Sequence, residues 1–215
     1  MNILVFDTST ETLAVGIRIG DGDLVMTARE GFKHSETLLP VIETCLRDLK
    51  ASMKDIELIA CTCGPGSFTG LRIGMSTAKG LSLALGIPWV GIPTLDCVAY
   101  GREEEGSLVV PVLDARKNRV YAALYTGGKR TSRYLDVSIP DLLALVQAED
   151  KVLFVGPDAD LLADYSLERP GFIIVKETPT QSLLGLAALA ELHYQEKGPS
   201  ADGEGPLYLR EPEIG

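Results

Sequence analysis

The sequence predicts an α/β protein in which one unit is given twice. Three observations carry this reading. Short apolar runs of strand length alternate with stretches at helical spacing, and each half opens on three such runs before its first helix. Setting Asp7 on Asp114, 107 residues on, brings Leu13 onto Val120, Val15 onto Ala122 and Ile17 onto Leu124, so the inward-facing alternation stays in register through both halves. An apolar strand stops at Gly64-Pro65 in the first half and at Gly156-Pro157 in the second.

Residues 2–7 form an apolar strand ending in Asp7, and residues 8–12 are a polar turn. Leu13 to Ile19 alternates, and Asp21-Gly22-Asp23 turns the chain into a third strand, Leu24 to Arg29. A helix follows from His34 to Leu49. Its Leu38, Val41, Ile42, Cys45, Leu46 and Leu49 sit at helical spacing opposite Glu43, Thr44, Arg47 and Asp48, and Pro40 bends it a little near its start. Glu57 to Cys63 is the fourth strand. Gly64, Pro65 and Gly66 then force a turn, and Ser67 or Thr69 caps a helix that runs from Leu71 to Leu85 and stops at Gly86. Ile87 to Ile92 is a strand and Thr94 to Tyr100 a short helix. The charged linker Gly101 to Gly106 marks a boundary between two domains, 1–101 and 102–215.

The pattern then starts again in a smaller copy. Leu108 to Asp114 is an apolar strand ending in an acid, and Val120 to Tyr125 is the next. A third strand lies near Arg133 to Val137, after Gly127-Gly128. Pro140 to Ala148 is a short helix and Val152 to Val155 a strand. The last helix, Gln181 to Gln195, turns Leu183, Leu186, Ala187, Ala190 and Tyr194 to one side, and a polar loop leads to Pro206-Leu-Tyr-Leu-Arg210. The order β-β-β-α-β-α-β-α, given twice, is that of duplicated ribonuclease-H-like domains. This is the α/β architecture of the actin and hexokinase superfold, with mixed sheets flanked by helices.

Bulk properties narrow the function. With 20 basic and 30 acidic residues the formal net charge is −10, which disfavours independent tight binding to a phosphate backbone, and no dense basic patch stands out to override it. Cys45, Cys61, Cys63 and Cys97 have apolar neighbours and no framework spacing, so they read as core thiols of a reducing compartment. No basic region precedes an apolar run at the N-terminus and no stretch is long enough to span a bilayer. The expectation is a cytoplasmic protein without membrane contact.

Chemistry-bearing constellations are few. Gly64-x-Gly66-x-x-x-Gly70 has neither the dinucleotide spacing nor a following Gly-Lys-Ser/Thr, so a structural turn is the plainer reading. The chain has two histidines, His34 and His193, and neither has a second histidine at helical spacing, so no metal pair is expected. No Gly-x-Ser-x-Gly nucleophile turn is present. Asp7 with Thr8 and Ser9, and Asp114, stand at strand ends. Each acid caps its own turn or helps to hold a nucleotide, and the residues leave both open.

The run Gly64-Pro-Gly-Ser-Phe-Thr-Gly-Leu-Arg-Ile-Gly74 resembles the TsaB (YeaZ) family. The resemblance extends over Phe6-Asp-Thr-Ser-Thr10, His34-Ser-Glu36, Leu39-Pro40, Asp114-Ala-Arg116, Val120-Tyr121 and Pro206-x-Tyr-Leu-Arg210, nearly the whole chain. It implies the partner subunit of the bacterial machinery that makes threonylcarbamoyladenosine on tRNA. By the same resemblance the catalytic subunit is TsaD, which carries a metal-binding His-x-x-x-His. Aligned on Ile87-Pro88, those histidines fall near Thr94 and Val98, and neither side chain replaces imidazole. The resemblance therefore implies an inactive homologue with no catalytic residue and no cofactor. It binds TsaD, meets the ATPase TsaE, pairs with itself when alone, and reaches tRNA only through the complex. Asn118-Arg119 departs from the family's Gly-Glu and reverses a charge there. The alternatives are enzymes, a metal-dependent glycoprotease-like peptidase or an actin-like ATPase. A peptidase needs a metal or an activated nucleophile that the sequence does not offer.

Two helices carry the partner expectation. The helix from Leu71 to Leu85 has almost no polar face: Ile73, Thr77, Leu81 and Ala84 form one stripe, Leu71, Gly74, Met75, Ala78 and Leu85 another. Sheet packing needs one stripe. Either the two helices cover each other inside the subunit or the second stripe meets a partner. The resemblance favours the partner, implying an interface of Leu38, Leu39, Ile42, Leu46, Leu71, Gly74, Met75 and Ala78.

Overall fold

The computed structural model describes residues 1–31, 33–102, 107–167 and 169–210. The chain divides into two compact units. One is Met1–Cys97 with Pro179–Leu207, the other Val98–Thr178 with Tyr208–Gly215.

In the first unit, β1 (Ile3–Asp7), β2 (Thr12–Arg18), β3 (Val25–Glu30), β4 (Leu58–Gly64) and β5 (Trp89–Pro93) lie in the order β3-β2-β1-β4-β5. The first three pair antiparallel, while β4 runs parallel to both β1 and β5. Helices α1 (His34–Asp48), α2 (Phe68–Leu85) and α3 (Thr94–Ala99) fill the connections. Alternate residues of β1 serve opposite faces. Leu4 and Phe6 pack with Leu38, Ile42 and Leu46 of α1 and Met75 and Ala78 of α2. Ile3 and Val5 pack on the other side with Leu58, Val90 and the final helix. Burial on both faces is why β1 and β4 read as continuous apolar runs.

The second unit holds β6 (Leu108–Arg116), β7 (Arg119–Ala122), β8 (Tyr125–Thr126), β9 (Lys129–Arg130), β10 (Leu135–Ser138), α4 (Ile139–Leu145), β11 (Val152–Gly156), α5 (Ala163–Ser166) and β12 (Phe172–Lys176). Its main path is β10-β7-β6-β11-β12, the first unit's order strand for strand. The duplicated mixed-sheet fold expected from the sequence is present. The small hairpin β8–β9, which hangs on β6 through Val109 and Tyr125, was not anticipated, nor were α5 and β12.

The last helix, α6 (Gln181–Lys197), departs from the expected division at residue 101. It belongs to the first unit. Leu183, Leu186, Ala187 and Ala190 close the face made by Ile3, Val5, Ala14 and Leu58. That face is apolar, and of the earlier helices only α3 reaches its cluster, through Cys97, so the chain returns to cover the rest. The expected linker falls largely on residues 103–106, outside the described residues.

Candidate functional site

Asp7 ends β1 with its side chain buried. Its Oδ1 accepts from Ser9 N at 2.7 Å and from Thr62 Oγ1 at 2.7 Å. The acid thus caps its own turn and ties β1 to β4. Thr62 is the polar residue inside an otherwise apolar strand, and a fully buried hydroxyl there signals a partner. His34 fixes the far side of the turn, its Nε2 lying 2.8 Å from Thr10 O.

The glycine run forms the floor under this turn. Ser67 N donates to Ser9 O at 2.6 Å, and Ser67 Oγ accepts from Gly70 N at 3.2 Å as the α2 cap. A Cβ at Gly66 would lie 2.5 Å from Ser9 O, one at Gly70 would overlap Thr8 O, and one at Gly74 would overlap Thr8 Oγ1. The glycines are therefore a groove filled by the residue 8–9 backbone. A phosphate at the N-terminus of α2 would need the same space and the same N–H groups, so these residues do not fit one. The hydroxyls of Thr8 and Ser9 are buried without a hydrogen-bond partner, held against this groove.

In the second unit Asp114 repeats the motif. Its Oδ1 accepts from Arg116 N at 2.7 Å, the same two-residue step as Asp7 to Ser9. Its other oxygen lies 3.2 Å from Arg116 Nη1. Asp114 N donates to Asp158 Oδ2 at 2.8 Å. Asp158 is not among the site residues expected from the sequence, although an acid directly after Gly156-Pro157 is the place for such a cap. Burial pushes the Asp158 carboxyl above the usual aspartate range, with the charges of Asp114 and Asp160 adding to the rise and the Asp114 N–H opposing it. A carboxyl raised in the folded state favours folding most when protonated, below its unfolded pKa, and loses that contribution as pH rises through its folded pKa. Asp158→Asn keeps an acceptor for Asp114 N and removes the charge. It should melt higher than the parent at pH 7, and the gap should close below about pH 3.8, the ordinary value for this group. Melting curves over that range check it.

Thr94 and Val98, where the resemblance set its absent histidines, are both buried on α3. Among the described residues no three His, Cys, Asp or Glu side chains are grouped to hold a metal ion. All four cysteines are free and buried. Burial pushes the Cys63 thiol up to about 12 and those of Cys61 and Cys97 well above their usual value, so they are unreactive core residues. No helix among the described residues is long and apolar enough to cross a membrane.

The expected interface residues require a correction. Leu38, Ile42, Leu46, Leu71, Met75 and Ala78 are at most 5% exposed, and Gly74 is buried against Thr8. These side chains belong to the subunit's own core, because α1 and α2 turn their broadest apolar stripes to the sheet. Of the expected set Leu39 alone is open, 49% exposed. The other expected stripe is divided: Ile73 and Leu81 pack half-buried against the core and Thr77 is half-buried, while Ala84 is open beside exposed Ser76, Gly80 and Leu83. Leu83 is 87% exposed. The only charges on α2 are Arg72, stacked 4.0 Å from the Phe68 ring centre, and Lys79, whose Nζ donates to Asp202 O and Glu204 O.

A family model described as TsaD, tRNA N6-adenosine threonylcarbamoyltransferase, matches residues 29–169. The TsaB protein of Bacillus subtilis, named for tRNA threonylcarbamoyladenosine biosynthesis, is 31% identical over 98% of this chain and 94% of its own. The chain belongs to the TsaB family. A Pseudomonas aeruginosa protein described as similar to peptidase YeaZ superposes with a TM-score of 0.75 at 26% identity, covering 97% of this chain and 99% of that one. A ROK hexokinase from Thermus thermophilus, at 14% identity, shares the fold with a TM-score of 0.51 over 90% of this chain and 99% of that one. The glycine run by which the sequence resembles TsaB is thus accounted for in this chain by close packing rather than by ligand contact. Periodicity gave no sign of this, since a groove that accepts backbone leaves no mark but the glycines themselves.

Proposed function

We propose that this chain is the non-catalytic subunit that binds and supports the TsaD transferase in tRNA threonylcarbamoyladenosine biosynthesis, working in the cytoplasm. The observation that supports this best is the outward face of α2, a surface of Thr69, Ile73, Ser76, Thr77, Gly80, Leu83 and Ala84 whose one charge is the exposed Arg72 near its N-terminal end. Small residues let a partner helix approach closely, and Leu83 with Leu39 of α1 supplies apolar area to bury. Asp7 and Asp114 are each engaged by their own turns, which fits a supporting role better than a catalytic one. The same face would serve self-pairing, so homodimer and TsaD complex should compete, with TsaE joining the TsaD complex.

The test is a TsaD pull-down followed by a transfer assay. An added Cβ at Gly80 meets nothing within 4 Å, and leaving glycine in a helix gains up to about 1 kcal/mol, so Gly80→Arg should stay folded. It should weaken TsaD binding at least about a hundredfold, as for loss of a central contact, and dissolve the homodimer. Asp114→Asn should keep transfer activity within about tenfold, short of the loss expected for a positioned acid–base group. Unchanged TsaD affinity in Gly80→Arg would move the interface elsewhere. A larger loss in Asp114→Asn, with assembly intact, would make the chain a contributor to the chemistry.

A further inference from the structure

The stretch 115–135 holds six of the chain's 20 basic residues and none of its 30 acidic ones, so the remainder carries 14 against 30. The six form two clusters along the chain, Arg116-Lys117 with Arg119 and Lys129-Arg130 with Arg133, which the expectation of no dense basic patch overlooks. The hairpins of the second unit collect them on one run of sheet. Arg116, Lys117, Lys129, Arg130 and Arg133 are exposed, and Arg119 is half-buried. Two acids among the described residues of this region are already shared. Asp136 accepts from Arg119 Nε at 2.7 Å and from Arg210 Nε at 2.9 Å and Nη2 at 3.0 Å, and Asp114 pairs with Arg116. Two guanidiniums on one carboxylate leave positive charge in excess.

A second observation comes from the backbone. Arg116, Lys117 and Asn118 are consecutive left-handed residues, with φ of 64°, 56° and 57°. Lys117-Asn118 is the two-residue turn between β6 and β7, which prefers glycine for this conformation. The β8–β9 turn uses Gly127-Gly128, with φ of 55° and 70°. The chain thus places glycines in one hairpin and keeps long cationic side chains in the other, where they sit against backbone preference.

We infer that this hairpin edge, from Arg116 and Lys117 at one end to Lys129, Arg130 and Arg133 at the other, contacts the phosphodiester backbone of RNA. The inference rests on the reading above, in which the assembled complex acts on tRNA. Tyr125 pairs with Val109 at the far end of β6 from Arg116, so the two tips stand on the order of 20 Å apart at strand spacing. A single small anion cannot reach both; a polymer of phosphates does. The exposed residues of this stretch include no apolar side chain that would enter a bilayer. Arg130 lies 4.0 Å from the Tyr134 ring centre, a cation–π contact that holds the guanidinium at the sheet. The net charge of −10 limits binding by the free chain, so the edge acts once TsaD supplies further contacts.

The experiment compares wild type with Lys117→Glu/Lys129→Glu/Arg133→Glu, and with a charge-matched control, Lys50→Glu/Lys54→Glu/Lys197→Glu. TsaD pull-down comes first. All three proteins should bind TsaD, and failure of the wild type there would sink the functional reading rather than this one. Affinity of each complex for unmodified tRNA transcript is then measured from 50 to 200 mM salt. Loss of three phosphate contacts should flatten the slope of log affinity against log salt by about two to three and weaken binding at least about tenfold at the low-salt end. The control should match the wild type. An unchanged slope in the hairpin variant, or an equal loss in the control, overturns the inference. So does binding to phosphatidylserine vesicles that the hairpin variant loses while its tRNA slope stays unchanged.

Discussion

Met75→Glu should leave no folded protein at neutral pH. Met75 is 3% exposed, between α2 and the face of the first sheet that holds Phe6, in one cluster with Ile42 of α1. Removing its packing costs about 2–5 kcal/mol. An unpaired carboxylate in that position adds several more, since the described acids and bases of α2 offer it no partner on the buried side. Total stability for a domain is about 5–15 kcal/mol. Circular dichroism and gel filtration at pH 7 check the outcome. A folded Met75→Glu that merely loses TsaD would return this stripe to the interface and reverse the assignment of faces.

The second large effect contrasts one substitution at two positions of one helix. Gly70→Ala sets a Cβ into the Thr8 carbonyl, backbone against backbone, with no side chain to rotate away. α2 must lift from the residue 8–9 turn, breaking the Ser67 N to Ser9 O bond, at a cost of about 3 kcal/mol or more. Gly80→Ala, ten residues on and open to solvent, should stabilise by up to about 1 kcal/mol because alanine is the better helix former. Urea midpoints of the two variants should move in opposite directions. Movement in the same direction would mean that the groove yields, and that the glycine run has some other purpose.

Much of the fold was legible because buried strands and their stops leave strong marks. Leu13, Val15 and Ile17 and the counterparts Val120 and Ala122 are buried as the inward-facing alternation predicts, whereas the third counterpart, Leu124, is half-buried and lies between β7 and β8. Segments with little apolar content were harder. Lys129-Arg130 is a strand by backbone pairing alone; β12 is apolar at four of its five positions and was missed for its shortness. The placement of α6 was not legible, since a helix with apolar residues on one side does not say which sheet it covers. The candidate site was legible in its residues and not in their use. Asp7, Thr8 and Ser9 were singled out as possible ligand contacts, yet what they touch is Thr62 and a glycine groove far along the chain. The interface stripe failed for a related reason: two apolar faces on one helix are equivalent until the sheet chooses between them, and here it takes the one with Met75 and Ala78.

The return of the chain to its first sheet has a consequence during synthesis. Residues 98–178 of the second unit emerge from the ribosome between the two parts of the first. At roughly 5–20 residues per second, the face of Ile3, Val5, Ala14 and Leu58 waits many seconds for Leu183 and Leu186 to arrive. The second unit has all its strands before the first has its last helix. A nascent chain of this kind carries an uncovered apolar sheet face until residues 181–197 have been made, so its yield in the cell should depend on trigger-factor-type holding chaperones more than its finished stability would suggest.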